Sequence, residues 1–131
     1  MMPLCYAAME TTQIMQSVKL YHNAKCGTSR NVLTLLRERG IEPEIIEYLT
    51  APPSQAQLKA IIRRSGLEVR AFMRHKEALY TQLDLDNPKW TDADLIGFLA
   101  DYPVLFNRPV VVTPKGVRPC RPAEAVLELI D

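Results

Sequence analysis

The chain has 131 residues, of which 47% are hydrophobic and 24% charged. That length suits one domain able to bury about two-thirds of its unfolded surface, and the composition excludes collagen, low-complexity fibre and wholesale disorder. Lys and Arg number 16 against 15 Asp and Glu, a formal net charge of +1, which argues against a general nucleic-acid binder; no apolar run approaches the roughly 20 residues of a membrane helix.

Three cysteines, Cys5, Cys26 and Cys120, are too few and too odd in number for a disulfide scaffold. The N-terminus Met-Met-Pro-Leu-Cys has no basic region and no long apolar stretch, so it does not read as a signal peptide. Both features point to a reducing cytoplasm with free thiols. Ten of the 16 cations are Arg, the residue suited to gripping oxyanions with paired donors.

Residues 1–16 read as a flexible N-terminal arm, and residues 17–131 as the domain. Ser17 to His22 alternates apolar and polar and predicts a strand. A short loop, Asn23 to Gly27, leads into a helix over Ser29 to Arg39, with Gly40 as its stop. Glu44 to Leu49 predicts a second strand, so the first 35 residues of the domain form a βαβ unit with parallel strands. Pro52-Pro53-Ser54 breaks the chain and caps a helix over Gln55 to Arg64. Two further helices are predicted near Val69 to His75 and Asp92 to Ala100, the latter opened by a capping box of Thr91 and Asp94. Val104 to Thr113 returns to strand character. Pro114-Lys115-Gly116 then turns the chain into an antiparallel strand over Val117 to Pro119. Pro122, at a first helical position, opens a last helix through Ile130.

The chemistry gathers at Cys26. A cysteine where a strand meets a helix start faces free backbone N–H groups and the positive end of the helix dipole, so its thiolate is favoured. Lys25 and Arg30 would act in the same direction. The amides of Gly27, Thr28 and Ser29 could also hold the oxygens of an anionic substrate. A lone cysteine is more often buried and inert, but the polar neighbours here argue for reactivity. Ser29 makes the motif C-x-x-S, so no disulfide closes within it. An adduct on Cys26 would need an external thiol for release. His22, four residues earlier, orients the loop, tunes the thiolate, or is a strand-end histidine bonded to backbone. No Cys/His spacing resembles a metal site. Tyr102 to Ala123 contains no acid but carries Arg108, Lys115, Arg118 and Arg121. Arg108 and Arg121 precede prolines at element ends and are the better anion ligands; Lys115 and Arg118 read as hairpin surface.

The segments His22-Asn23-x-x-Cys26-Gly27-Thr28-Ser29-Arg30-Asn31, Tyr48-Leu49-x-x-Pro52-Pro53, Asn107-Arg108-Pro109-Val110-Val111-Val112-Thr113-Pro114 and Cys120-Arg121-Pro122 closely resemble the glutaredoxin-dependent arsenate reductase family. The resemblance runs from about Val18 to the end. It implies an α/β, thioredoxin-like fold: a small mixed four-stranded sheet flanked by helices, with an all-helical insertion before the C-terminal β-hairpin and helix. It also implies a cis bond before Pro109. The implied activity is cytoplasmic reduction of arsenate to arsenite, with glutathione as co-substrate, glutaredoxin as protein partner and no bound cofactor, in a monomer. By resemblance Cys26 is the nucleophile, His22 tunes it, and Arg74, Arg108 and Arg121 hold the oxyanion. Arg74 comes from the resemblance alone, since periodicity does not separate it from Arg63, Arg64 or Arg70. Two other readings use the same fold: a thiol–disulfide reductase for glutathionylated proteins, and an Spx-like regulator that binds RNA polymerase. Spx-like proteins usually carry a C-x-x-C switch, against which Ser29 argues.

Overall fold

The computed structural model describes residues 17–130. The expected N-terminal arm lies outside the described residues. Strand β1 (Lys19–His22) leads into helix α1 (Gly27–Glu38), and strand β2 (Glu44–Glu47) returns parallel to β1. The insertion follows: helix α2 (Gln55–Ser65), a 3-10 turn at Val69–Phe72, helix α3 (Ala78–Gln82), helix α4 (Asp92–Asp101) and a second 3-10 turn at Pro103–Leu105. Strands β3 (Val110–Thr113) and β4 (Gly116–Pro119) form the hairpin, and a 3-10 helix over Ala123–Leu129 follows. The sheet order is β2-β1-β3-β4, with β1–β3 and β3–β4 antiparallel. This is the mixed, thioredoxin-like sheet that the resemblance implied.

Period-two alternation sends neighbouring strand residues to opposite faces. Leu20 and Val111 face α1 and the terminal helix, packing with Val32, Leu36 and Val126. Tyr21, Val110 and Val117 face the insertion, packing with Leu58, Phe72, Leu99 and Phe106. The sheet is thus covered on both sides.

The helix ends follow local chemistry. Gly40, at φ +76°, and Ile41 close α1 by bonding back to Arg37 O and Leu36 O, the paired pattern of a Schellman stop. Ser54 and Gln57 cap α2 reciprocally, as Thr91 and Asp94 cap α4.

Several boundaries differ from the sequence reading. Helix α1 begins two residues early, at Gly27, with Cys26 as its N-cap. The predicted helix over Val69 to His75 is only a 3-10 turn, because Met73 turns extended to pair with Phe106. Helix α3 lay hidden in a stretch without clear periodicity. The predicted strand from Val104 starts only at Val110: Pro103 opens a 3-10 turn, and Pro109, with no N–H to donate, precedes the strand. Pro122 flanks the last helix rather than starting it, and that helix is 3-10 and ends at Leu129. Strand β2 is an edge strand, and Ile45 on it is exposed. The bonds before Pro109 and Pro122 are both cis.

Candidate active site

Strand register decides which residues meet. Tyr21 pairs with Val110, so the loop leaving β1 emerges where β3 begins. Val110 also pairs with Pro119. The residues just before β3 therefore lie beside those just after β4, and Cys120 N–H donates to Pro109 O at 2.8 Å. Arg108 and Arg121 are brought together in this way, and Arg121 Nη1 donates to Arg108 O at 2.9 Å. Because β2 is parallel to β1, with His22 opposite Glu47, Tyr48 emerges at the same end of the sheet.

Cys26 sits at the start of α1, partly exposed, its backbone extended at φ −93° and ψ 123°. Its own N–H donates to Asn23 O, closing the loop. Arg121 Nη1 approaches its Sγ to 3.8 Å. Burial works to raise the thiol pKa, but the N–H of Ser29, the Arg121 and Arg108 guanidiniums and the N–H of Thr28 outweigh it, and the thiol stands below its ordinary value. Hydrogen bonds to the charged form are the deciding influence. Lys25 and Arg30, expected to contribute, are not among these groups. Arg30 Nη1 instead donates to Ala24 O at 2.8 Å, bracing the loop. A Cβ on Gly27 would lie 3.7 Å from Arg30 Nη2, an ordinary contact, so the protein itself does not demand glycine there.

His22 is buried and does not act on Cys26 directly. Its Nδ1 lies 2.5 Å from Ser29 Oγ, which also accepts the Asn23 N–H at 3.2 Å. A hydroxyl has one proton and two acceptor lone pairs, so while accepting the Asn23 N–H it can bond Nδ1 in either direction, the ring's tautomer deciding which. Burial holds the ring below its ordinary pKa, Glu47 opposing and Arg37 and Arg30 assisting, which favours the neutral ring. Ser29, expected as a substrate ligand, is fully buried. Only its amide faces the thiol; its side chain ties the end of β1 to the first turn of α1.

Arg74 reaches the site through the insertion. Met73 bridges to Phe106, Arg74 N–H donates to Leu105 O, and Asn107 bonds back to Phe72 O and Ala71 O. This clamp places Arg74 beside the segment that carries Arg108. A cleft of about 520 Å³ opens there, lined by Arg74, Asn107 and Arg121 among others. Arg108 Nε is the one buried side-chain nitrogen or oxygen without a hydrogen-bond partner among the described residues. A larger cleft, about 620 Å³, lies between α2 and α4 beside Lys59 and Arg63, with neither thiol nor site arginine in its lining.

Sequence reasoning gave Tyr48 no role of its own. It is almost wholly buried, and burial raises its phenol pKa; Arg108 and a hydrogen bond from Asn23 oppose, while the Cys26 charge adds to the rise. The phenol thus faces the same constellation. Its only signal was its place at the end of β2. Among the described residues no group of three or more His, Cys, Asp and Glu could hold a metal, and no helix is long and apolar enough to cross a membrane.

Residues 21–129 match the model of the ArsC family. An arsenate reductase from Escherichia coli is 48% identical over 117 residues, 89% of this chain and 83% of that protein. An arsenate reductase from Rhizobium meliloti (strain 1021) is 46% identical over 114 residues, 87% of this chain and 81% of that protein. Among solved structures, an arsenate reductase from Vibrio cholerae matches with a TM-score of 0.84 at 45% identity, over 87% of this chain and 98% of the other.

Proposed function

Because the chain belongs to the ArsC family, we propose that it reduces arsenate to arsenite at Cys26, drawing electrons from glutathione and glutaredoxin. The observation that carries this reading is the pairing of a favoured thiolate with arginines at one end of the sheet: Arg121 lies 3.8 Å from Cys26 Sγ, and Arg108 keeps a buried, unpartnered Nε beside it. A tetrahedral oxyanion with one or two charges suits such guanidinium donors. The amides of Thr28 and Ser29, at the positive end of α1, add fixed dipoles at the same place.

The steps balance as follows. The Cys26 thiolate attacks arsenic and an arsenate oxygen leaves as water, forming an S–As(V) bond without redox change. Glutathione displaces a second oxygen as water. The glutaredoxin thiolate then attacks the glutathione sulfur and forms a mixed disulfide, and the S–As electron pair stays on arsenic, which becomes As(III). Water finally displaces Cys26 and arsenite leaves. The chain's own groups bind the oxyanion, keep the thiolate charged and orient it for attack. Glutathione as co-substrate fits a reducing, cytoplasmic setting. All of these residues come from one chain, so a monomer suffices.

A coupled assay tests the reading: arsenate-dependent NADPH oxidation in the presence of glutathione, glutathione reductase and glutaredoxin, with Cys26→Ser as the dead control. NADPH oxidation driven by a glutathionylated protein, and indifferent to arsenate, would assign thiol–disulfide reduction instead.

A further inference from the structure

Arg74 is already engaged before any substrate arrives. Its Nη1 donates to Glu77 Oε2 at 2.9 Å. The pairing is built in from three directions. Arg74 is fixed at its backbone by the bond to Leu105 O, and Glu77 N–H closes a turn onto Arg74 O at 3.1 Å. Glu77 is also the residue that precedes α3; its side chain makes no capping bond there and turns to Arg74. Finally, the Glu77 side chain is only 22% exposed, so its charge is felt more strongly than on open surface. Arg70, which lines the cleft with Arg74 and Arg121, commits its Nε to Leu85 O and its Nη2 to Asn87 O.

We propose that Glu77 tunes the oxyanion affinity of the site by holding one edge of Arg74, so that its carboxylate competes with the incoming oxyanion. The inference rests on the arsenate-reductase reading, since it concerns the same anion site. Arg108 and Arg121 act on the Cys26 thiol, and Arg74 shares a cleft with Arg121. The Glu77 carboxylate offsets part of the positive charge that Arg74 would otherwise present to an anion. Arg74 keeps its Nε and its second terminal nitrogen for the ligand, while Glu77 keeps the first. Glu77 is a positioning residue acting through Arg74 and has no part in the bond-making steps.

The test reads binding separately from turnover. Arsenate and inorganic phosphate are titrated as protectants of the Cys26 thiol against iodoacetamide, with the modified peptide identified by mass spectrometry. Glu77→Gln keeps the shape and removes the charge. It should lower the concentration giving half-protection by about threefold to tenfold for both anions. In the coupled assay, KM for arsenate should fall with it, and kcat should move less. Glu77→Ala should shift half-protection in the same direction, and so guards against an artefact of the amide. In an Arg74→Ala background the Gln effect should shrink below about twofold, the mark of two coupled residues. Protection of the unaltered protein with no change in Glu77→Gln, or with weaker protection, overturns this proposal alone. An undiminished Gln effect without Arg74 overturns the route through that arginine. No protection of the unaltered protein by either anion overturns this proposal and the oxyanion reading together.

Discussion

Ser29 serves the site twice, once through its amide and once through its hydroxyl. The amide helps hold the Cys26 thiolate; the hydroxyl joins His22 to the Asn23 N–H. Removing the hydroxyl leaves a buried imidazole nitrogen and a backbone N–H unsatisfied, at a cost of about 1–3 kcal/mol. Ser29→Ala should therefore destabilise by that amount in urea unfolding, and it should slow arsenate turnover by loosening the loop. The His22 ring is held neutral by burial, so its folded pKa lies below its unfolded value. The unfolded state then binds more protons as the solution is acidified, and the stability this group contributes is full above about pH 6.5 and lost as pH falls toward the folded pKa. The melting temperature should drop between pH 7.5 and 5, and the drop should be smaller in His22→Asn. At Cys26 the sign runs toward the thiolate: the rate of alkylation by iodoacetamide should reach half its maximum at a pH below the roughly 8.5 of a free cysteine. Arg121→Ala or Arg108→Ala should move that midpoint upward. The reactive setting of Cys26 was legible from a helix start with polar neighbours. The bond between Ser29 and His22 was not, because nothing in a seven-residue separation indicates that a strand end and a helix turn share a proton.

Elements explain why some arginines could be read from the sequence and others not. Arg108 and Arg121 flank a hairpin, and a hairpin's register brings its outer ends together, so their proximity followed from the strand pattern alone. Arg74 belongs to an insertion whose path depends on the Met73–Phe106 bridge, a contact between residues far apart in sequence. Two of its competitors, Arg64 and Arg70, turn out to be latches. Arg64 Nη2 donates to Thr113 O at 2.7 Å, and Arg70 holds the carbonyls of Leu85 and Asn87. Arg118 pairs with Glu128 on the terminal helix, so it too has a structural partner. Two classes of outcome follow. Arg74→Ala, Arg108→Ala and Arg121→Ala should each lower kcat/KM for arsenate by roughly tenfold or more, since losing a charge-assisted contact costs about 1.5–3 kcal/mol. Arg→Lys should recover only part of this, because it keeps the charge and loses the fork. Arg70→Ala should instead lower the melting temperature, leaving two carbonyls without their donor. Arg118→Ala should change kcat/KM little, an exposed ion pair contributing about 0–1 kcal/mol. Kinetics in which Arg118 mattered and Arg108 did not would reassign the site while leaving the fold intact.

At the scale of the whole molecule, the sheet separates its two described cysteines by environment. Cys26 stands partly exposed at the functional end, where amides and guanidiniums favour its charge. Cys120 is fully buried among Leu20, Val32, Leu36 and Val126, between the sheet and the helices on its other side. Burial pushes its thiol up to about 12, Arg118 only partly opposing. At neutral pH roughly one Cys120 in 10⁵ is then a thiolate, too few for it to attack an adduct on Cys26 at a useful rate. Its backbone is also committed, the N–H to Pro109 O and the thiol to Arg118 O. On the proposed mechanism, the electrons that release arsenic then come from outside the chain or from Cys5, which lies outside the described residues. Peptide mapping decides between these routes. Protein incubated with arsenate and glutathione, but no glutaredoxin, and quenched in acid should carry its modification on Cys26. No peptide joining Cys26 to Cys120 or to Cys5 should be found. Cys5→Ser and Cys120→Ala should keep turnover within about threefold, although Cys120→Ala should lose about 1 kcal/mol of stability through the small cavity it leaves. A disulfide between Cys26 and Cys120 forming at the rate of turnover would replace the external thiol with an internal relay, and would require the terminal helix to open on every cycle.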